Sequence, residues 1–180
     1  MTGEEVNEQT VKQWSQDRTL AKYQVLHFAT HGMAQLPYPN LNTPELAALV
    51  LSQFAAPRSE DGNEDNYLRV NEVAQLKLKA DLVTLSACET GLGKVFSGQS
   101  VIGLTQSFLL AGANGLNVSL WKVSDEVTAT LMTEVYKAAA AGQSYPEALT
   151  SVKRRFIAGE FGKKWQSPYY WSAFVYYGKE

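Results

Sequence analysis

The stretch that decides the fold is Asp81-Leu82-Val83-Thr84-Leu85-Ser86-Ala87-Cys88, which passes from an apolar, β-rich run to the only cysteine of the chain. A second stretch, residues 23–29, is rich in aromatic and β-branched residues and leads directly into Thr30-His31-Gly32. Both runs are typical of buried strands. Sites in open α/β sheets form beyond the carboxyl ends of the strands. The two stretches therefore predict that His31 and Cys88 meet at one edge of a sheet.

Strand-like and helix-like segments alternate along the rest of the chain. Further strands are predicted at residues 47–54, 116–121 and 172–177, and helices at residues 68–78, 101–111, 126–141 and 145–158. Asn71 is expected to cap the first of these helices, and Ser124 or Asp125 the third. Residues 32–44 favour irregular structure, and residues 55–66 form an acidic insert typical of a disordered or cleavable loop. The alternation predicts a three-layer α-β-α fold with a mostly parallel sheet.

Composition and charge limit the kinds of partner and the compartment that we expect for the chain. Its 180 residues are expected to form one domain, with residues 1–22 as an N-terminal flanking segment. The net charge of −2 gives no support for nucleic acid or an anionic membrane as a partner. A single cysteine cannot form an internal disulfide, and no apolar run approaches the roughly 20 residues that cross a bilayer. The acidic start is unlike a signal peptide, so we expect a cytoplasmic protein.

Cys88 and His31 have the chemistry of a nucleophile and its base. The thiolate is the attacking species, and a free cysteine has a pKa near ~8.5, so the thiol needs a neighbouring imidazole at neutral pH. The same imidazole can then protonate the leaving amine. The backbone amides of Cys88 and of Gly32, which has no Cβ to obstruct a substrate, are candidate oxyanion donors. These residues predict a cysteine peptidase with a His–Cys dyad that needs no metal or other cofactor.

Sequence motifs for other kinds of catalytic or binding site are incomplete in this chain. Gly93-Lys94 suggests a phosphate-binding loop, but Cys88 stands where that motif needs its first glycine, and Val95 where it needs Ser or Thr. Two histidines and one cysteine fit no usual zinc spacing. The Gly-x-Ser-x-Gly sequence of many serine hydrolases is not present. His27, inside the first predicted strand, is interpreted as a core histidine.

The spacing of the two candidate residues supports the peptidase interpretation. His31 precedes Cys88 by 57 positions, and caspases place their histidine roughly 50 residues before the cysteine. Five segments together resemble the CHAT domain, a caspase- and separase-like peptidase family often found behind tetratricopeptide repeats. They are Leu26-His27-Phe28-Ala29-Thr30-His31-Gly32 and residues 81–91, 108–112, 119–123 and 169–174.

The resemblance implies a caspase–hemoglobinase-like α/β fold and an endopeptidase of protein or peptide substrates, with His31 as base and Cys88 as nucleophile. Similar proteins are often gated by a regulatory region. The chain is therefore expected to be the C-terminal part of a longer protein, controlled by a tetratricopeptide-repeat region or another activating partner. Two alternatives stay open. One is a catalytically silent interaction or scaffold module of the same fold, and the other is a zymogen activated by a cut within residues 55–66.

Candidate specificity residues are less firmly defined. Related peptidases often hold a basic P1 side chain with a carboxylate, since an arginine fork pairs with a carboxylate bidentately. Asp125, which follows the strand expected beside the Cys88 strand, is the first candidate, and Glu89 is the second. The competing interpretations are a helix N-cap for Asp125 and a solvated loop residue for Glu89. Trp121 is a candidate wall of the substrate cleft.

Overall fold

The computed structural model describes residues 6–33, 47–52, 65–86 and 99–179. The strands are β1 (Val25–Phe28), β2 (His31–Met33), β3 (Ala48–Val50), β4 (Tyr67–Arg69), β5 (Leu82–Leu85), β6 (Gly115–Ser119) and β7 (Phe174–Gly178). The helices are α1 (Glu8–Gln16), α2 (Val70–Val73), α3 (Gln99–Leu110), α4 (Asp125–Ala140), α5 (Tyr145–Ala158) and α6 (Pro168–Trp171), with short 3-10 helices at Leu20–Lys22 and Lys163–Gln166. None of the helices in these ranges is long and apolar enough to cross a membrane.

A central sheet contains four strands in the order β1-β5-β6-β7. β1 and β6 both run parallel to β5, and β7 lies antiparallel beside β6. Every residue of β5 and β6 is buried, as expected for strands that are covered on both faces. The mostly parallel sheet confirms the predicted fold class.

Helices pack on both faces of the central sheet. Side chains of neighbouring residues in a strand point to opposite faces, so Val83 and Leu85 of β5 join Phe108 of α3 in one apolar cluster. On the other face, Thr84 of β5 accepts a hydrogen bond from Tyr136 of α4, and α4 and α5 build a second apolar cluster. The molecule therefore has the three layers that the alternation of elements predicts.

A second sheet contains three antiparallel strands in the order β2-β3-β4. Leu49 of β3 and Leu68 of β4 are partners in the register, and both are buried in the cluster that contains Phe108. The second sheet thus shares a core with the α3 side of the central sheet.

Two sequence predictions are wrong in the second sheet. His31 and Gly32 begin a strand, whereas the sequence predicts irregular structure from residue 32 onward. The helix predicted over residues 68–78 is a strand through Arg69 followed by the single turn of α2, and Arg69 rather than Asn71 is its N-cap residue. Pairing of Leu68 with a distant strand overrides the helical spacing of the local apolar residues.

The helices on the α4–α5 side follow their local sequence signals closely. The helix predicted at residues 145–158 is confirmed without change, because Ser144 and Glu147 form a capping box and Gly159 ends the helix at φ +82°. Ser124 is the N-cap residue of α4, so the interpretation of Asp125 as the cap is wrong. The final strand begins at Phe174 rather than residue 172, because Ser172 is the C-cap residue of α6 and the chain turns there before the strand.

The N-terminal segment is attached to the second sheet by a buried carboxylate. Glu8 Oε2 accepts a 2.8 Å hydrogen bond from the amide of Asn66. Lys12 Nζ lies 2.6 Å from Glu8 and 2.7 Å from Glu72. Burial raises the pKa of Glu8, against the opposing effect of the Lys12 ammonium. Val11 of α1 is buried in the same core as Phe108, so this segment packs as part of the fold.

Candidate active site

The carboxyl ends of β1 and β5 lie side by side at one edge of the central sheet. β1 ends at Phe28 and β5 at Leu85, and these two residues are partners in the register. One residue further, the Ser86 amide donates a 3.2 Å hydrogen bond to the Phe28 carbonyl. The chain therefore leaves both strands at the same place, where parallel sheets form their sites.

A cavity of about 360 Å³ opens at this edge. The exit of β1, the exit of β5 and the N-terminal end of α4 line it together. Its described lining residues are His27, Ala29, Thr30, His31, Ser86, Asp125, Thr128 and Ala129. The structure thus brings two of the predicted site residues, His31 and Asp125, to one cavity.

His31 is the first residue of β2, where the chain passes from the central sheet to the second sheet. Its side chain is exposed, and within the described ranges no hydrogen bond joins its ring to another residue. The neighbouring Thr30 hydroxyl donates to the Val50 carbonyl of β3, which anchors the turn. Gly32 is buried opposite Leu49. The backbone around His31 is therefore fixed by the second sheet, while the residue itself is exposed and lines the cavity.

Cys88 and Glu89 lie outside the described residues, so the His–Cys pair and the role of Glu89 stay predictions. Ser86, which precedes Cys88 by two positions in the sequence, lines the cavity with His31.

Trp121 is placed away from the described wall of the cavity. Its indole N–H donates a 2.9 Å hydrogen bond to the Tyr169 carbonyl, and the Tyr169 hydroxyl donates to the Lys122 carbonyl at 2.7 Å. The Trp121 ring packs against the α4–α5 cluster. These contacts give Trp121 a packing role, and its place in the substrate cleft stays a prediction.

His27 is the cavity residue that the sequence interpretation misplaced. It is not a core residue, because its side chain is exposed and lines the cavity. Although the ring reaches solvent, desolvation by the surrounding protein lowers its pKa. Strand alternation is the signal that predicts this orientation: Leu26 and Phe28 pack in the α3-side cluster, so His27 points to the opposite face.

Fold and site together define a class of protein, namely a caspase-like α/β domain whose parallel strands lead into a cavity lined by histidine. The chain belongs to the CHAT domain family, because the family model for the CHAT domain matches residues 1–179. The resemblance seen in the sequence is thereby confirmed. No curated protein matches the chain.

Proposed function

We propose that the protein is a cysteine endopeptidase in which His31 activates Cys88. The observation that carries the proposal is the shared cavity: His31 and Ser86 line it together, and Cys88 follows Ser86 by two positions. A base and a nucleophile within reach of each other are what covalent catalysis by a thiol requires. Membership of the CHAT domain family supports the same chemistry.

The proposed reaction proceeds through an acyl-enzyme. His31 accepts the proton of the Cys88 thiol, and Sγ attacks the carbonyl carbon of the scissile peptide bond to give a tetrahedral oxyanion. Collapse of this intermediate breaks the C–N bond, and His31 returns the proton to the leaving amine. A water molecule, deprotonated by His31, then attacks the thioester carbonyl, which releases the carboxylic acid and regenerates the thiol.

The oxyanion donors in this proposal are the amides of Gly32 and Cys88. Alternate amides of an antiparallel strand point toward the partner strand and away from it. Gly32 lies in β2 opposite Leu49, so its amide can reach a substrate only if it is one of those that point away from β3. A donor of this kind typically stabilises the transition state by about 3 kcal/mol.

We extend the proposal to a substrate with a basic P1 side chain, held by Asp125. The Asp125 side chain is exposed and lines the cavity with His31, and carboxylates pair well with guanidinium groups. Glu89 and Trp121 are secondary candidates for substrate binding. Control by a tetratricopeptide-repeat region or another activating partner is part of the proposal, as the family resemblance implies.

The decisive experiment measures the reactivity of Cys88 itself. Because the chain has one cysteine, the rate of alkylation by iodoacetamide against pH gives the thiol pKa of a single site. We expect a pKa well below ~8.5 in the wild type, and a return toward that value in His31→Ala. An ordinary pKa in the wild type, unchanged by His31→Ala, would contradict the dyad and favour the catalytically silent module.

Cleavage of a peptide library, with Cys88→Ala as the negative control, complements the alkylation measurement. The library is screened with and without candidate activating partners. We expect cleavage by the wild type and none by Cys88→Ala. Mass spectrometry of the active sample also tests the zymogen alternative, because a fully active chain without a cut in residues 55–66 would exclude it.

A further inference from the structure

His27 lies at the centre of a chain of side-chain hydrogen bonds beside the cavity. Its Nε2 atom is 2.9 Å from Ser86 Oγ, and its Nδ1 atom is 3.2 Å from the Tyr136 hydroxyl. Tyr136 in turn donates to Thr84 Oγ1 at 2.9 Å. The rings of His27 and Tyr136 meet edge to face, with centroids 6.0 Å apart. One network therefore connects β1, α4 and the end of β5.

His27 bonds one hydroxyl group through each of its ring nitrogens. In a neutral imidazole one nitrogen donates and the other accepts, so the ring accepts from one of these hydroxyls and donates to the other. Because desolvation lowers the pKa of His27, the ring stays neutral near pH 7 and keeps this arrangement.

Among the described residues, Phe28 and His27 both hold Ser86. Its amide donates to the Phe28 carbonyl at 3.2 Å, and its hydroxyl is held by His27. Cys88 follows two residues later, so the position of Ser86 determines where the thiol-bearing segment begins. In catalysis a displacement of about 1 Å at the reacting atoms can cost about 10²-fold in rate.

We propose that His27 is a positioning residue for Cys88: its neutral imidazole holds Ser86 and thereby directs the thiol-bearing segment toward His31. This inference rests on the proposed peptidase function. The requirement is a hydrogen bond to Ser86 from the position of Nε2, and His31 is the residue that exchanges the proton with substrate.

Two substitutions of His27 separate the Nε2 contact from the Nδ1 contact. In His27→Gln, the side-chain amide extends to the position of Nε2 and can form a hydrogen bond with Ser86. In His27→Asn, the amide extends only to the position of Nδ1 and can bond Tyr136 alone. We expect the glutamine variant to keep the low thiol pKa of Cys88, with kcat within about threefold of the wild type. The asparagine variant should raise that pKa toward the value in His31→Ala and lower kcat about tenfold or more at similar KM.

Ser86→Ala removes the same hydrogen bond from the other partner. It should change the thiol pKa and kcat in the same direction as His27→Asn, and the double variant should lose less than the sum of the two single variants, because both substitutions remove the same hydrogen bond. Ser124→Ala is the matched control, since Ser124 makes no capping bond with its side chain and is not among the described residues that line the cavity. If His27→Asn fails to fold, as seen by thermal unfolding, Ser86→Ala carries the test.

Three results would overturn the inference. Equal losses in the glutamine and asparagine variants, both folded, would show that the hydrogen bond at Nε2 does not position the thiol. Wild-type thiol reactivity in both His27→Asn and Ser86→Ala would show that the network does not position the thiol. The peptidase proposal itself would fail in a different way: the pKa of Cys88 would be ordinary in the wild type, and His31→Ala would not change it. In that case the positioning role of His27 would be contradicted as well.

Discussion

The two ends of the central sheet carry cavities of very different character. At the carboxyl end of β1 and β5, about 360 Å³ is lined by His27, His31, Ser86 and Asp125 among others. The opposite end, where β6 begins and β7 ends, has the larger cavity, about 700 Å³. Among the residues described as lining that larger cavity, Lys179 is the only charged one and none is a histidine. The described lining of the larger cavity thus contains fewer charged and histidine side chains than that of the smaller one.

The direction of the strands explains this difference in lining residues better than the sizes of the two cavities do. Parallel strands deliver the residues that follow them to their carboxyl ends, where side chains from several segments meet. At the opposite end the chain instead makes a tight turn between α3 and β6. Gly112 there has φ +108°, and a Cβ atom at this position would lie 2.4 Å from the Leu78 carbonyl oxygen. The opposite end therefore connects successive elements of the chain, whereas the carboxyl end brings polar and titratable side chains together.

The largest effect that tests this distinction is expected from His31→Ala. Loss of a general base typically lowers kcat by about 10²- to 10⁴-fold, while the exposed position of His31 leaves stability almost unchanged. Lys179→Ala, in the larger cavity, is the control and should leave kcat as it is. Peptide cleavage and thermal unfolding are measured for both variants. A comparable loss of activity in Lys179→Ala would remove the functional difference between the two ends.

At the opposite end, Gly112→Ala should destabilise the fold without changing the chemistry. The new Cβ atom adds a clash with the Leu78 carbonyl to a positive φ, so we expect a loss of about 3 kcal/mol in the free energy of unfolding. Gly142→Ala is the matched control, because Gly142 has φ +100° with no atom within 4 Å of the added Cβ. Its cost should be roughly 1 kcal/mol. Equal losses of unfolding free energy in the two variants, measured by urea denaturation, would show that the close approach of Gly112 to the Leu78 carbonyl adds nothing to the cost.

A smaller effect is expected from Asp125→Asn. Removal of an exposed carboxylate should raise KM for peptides with P1 arginine by about 3- to 10-fold, since exposed ion pairs are weak, and should leave peptides with a neutral P1 residue unaffected. Glu126→Gln changes the next carboxylate of α4, which is exposed and not among the described residues of the cavity wall. That control should have no effect. Equal responses to arginine and neutral peptides would exclude Asp125 as a P1 contact.

The smallest effect concerns the pH dependence of stability at the carboxyl end. Desolvation by the surrounding protein lowers the pKa of His27 in the folded state below its unfolded value near ~6.5. Between these two values the unfolded chain binds a proton that the folded protein does not, so stability falls as the pH drops through this window. His27→Gln should lose this part of the acid sensitivity, as measured by urea unfolding at about pH 7.5 and about pH 5.5.

Glu8 titrates with the opposite sign, because burial raises its pKa. Its contribution is the same in both proteins and cancels when His27→Gln is compared with the wild type. Identical acid sensitivity of the two proteins would show that His27 is not desolvated enough to matter.

The sequence predicted best where the signal is local. The helix Tyr145–Ala158 is bounded by its own capping box and terminal glycine, and the cavity follows from the polar residues at the ends of two apolar strands. In the second sheet, β3 lies within the strand predicted at residues 47–54, whereas β2 and β4 have no local signal, because they are defined by pairing with β3. The environment of His27 depends on Tyr136, which is distant in sequence. Such contacts arise from packing, which a pattern of residue types does not encode directly.

The attachment of His31 to the second sheet has a mechanical consequence. The imidazole belongs to β2, whereas Cys88 continues the chain from β5 of the central sheet. In the proposed dyad, the separation of the imidazole and the thiol is therefore also a measure of how the two sheets are aligned. If the dyad is catalytic, a sliding movement of about 1 Å between the sheets would change the rate about 10²-fold.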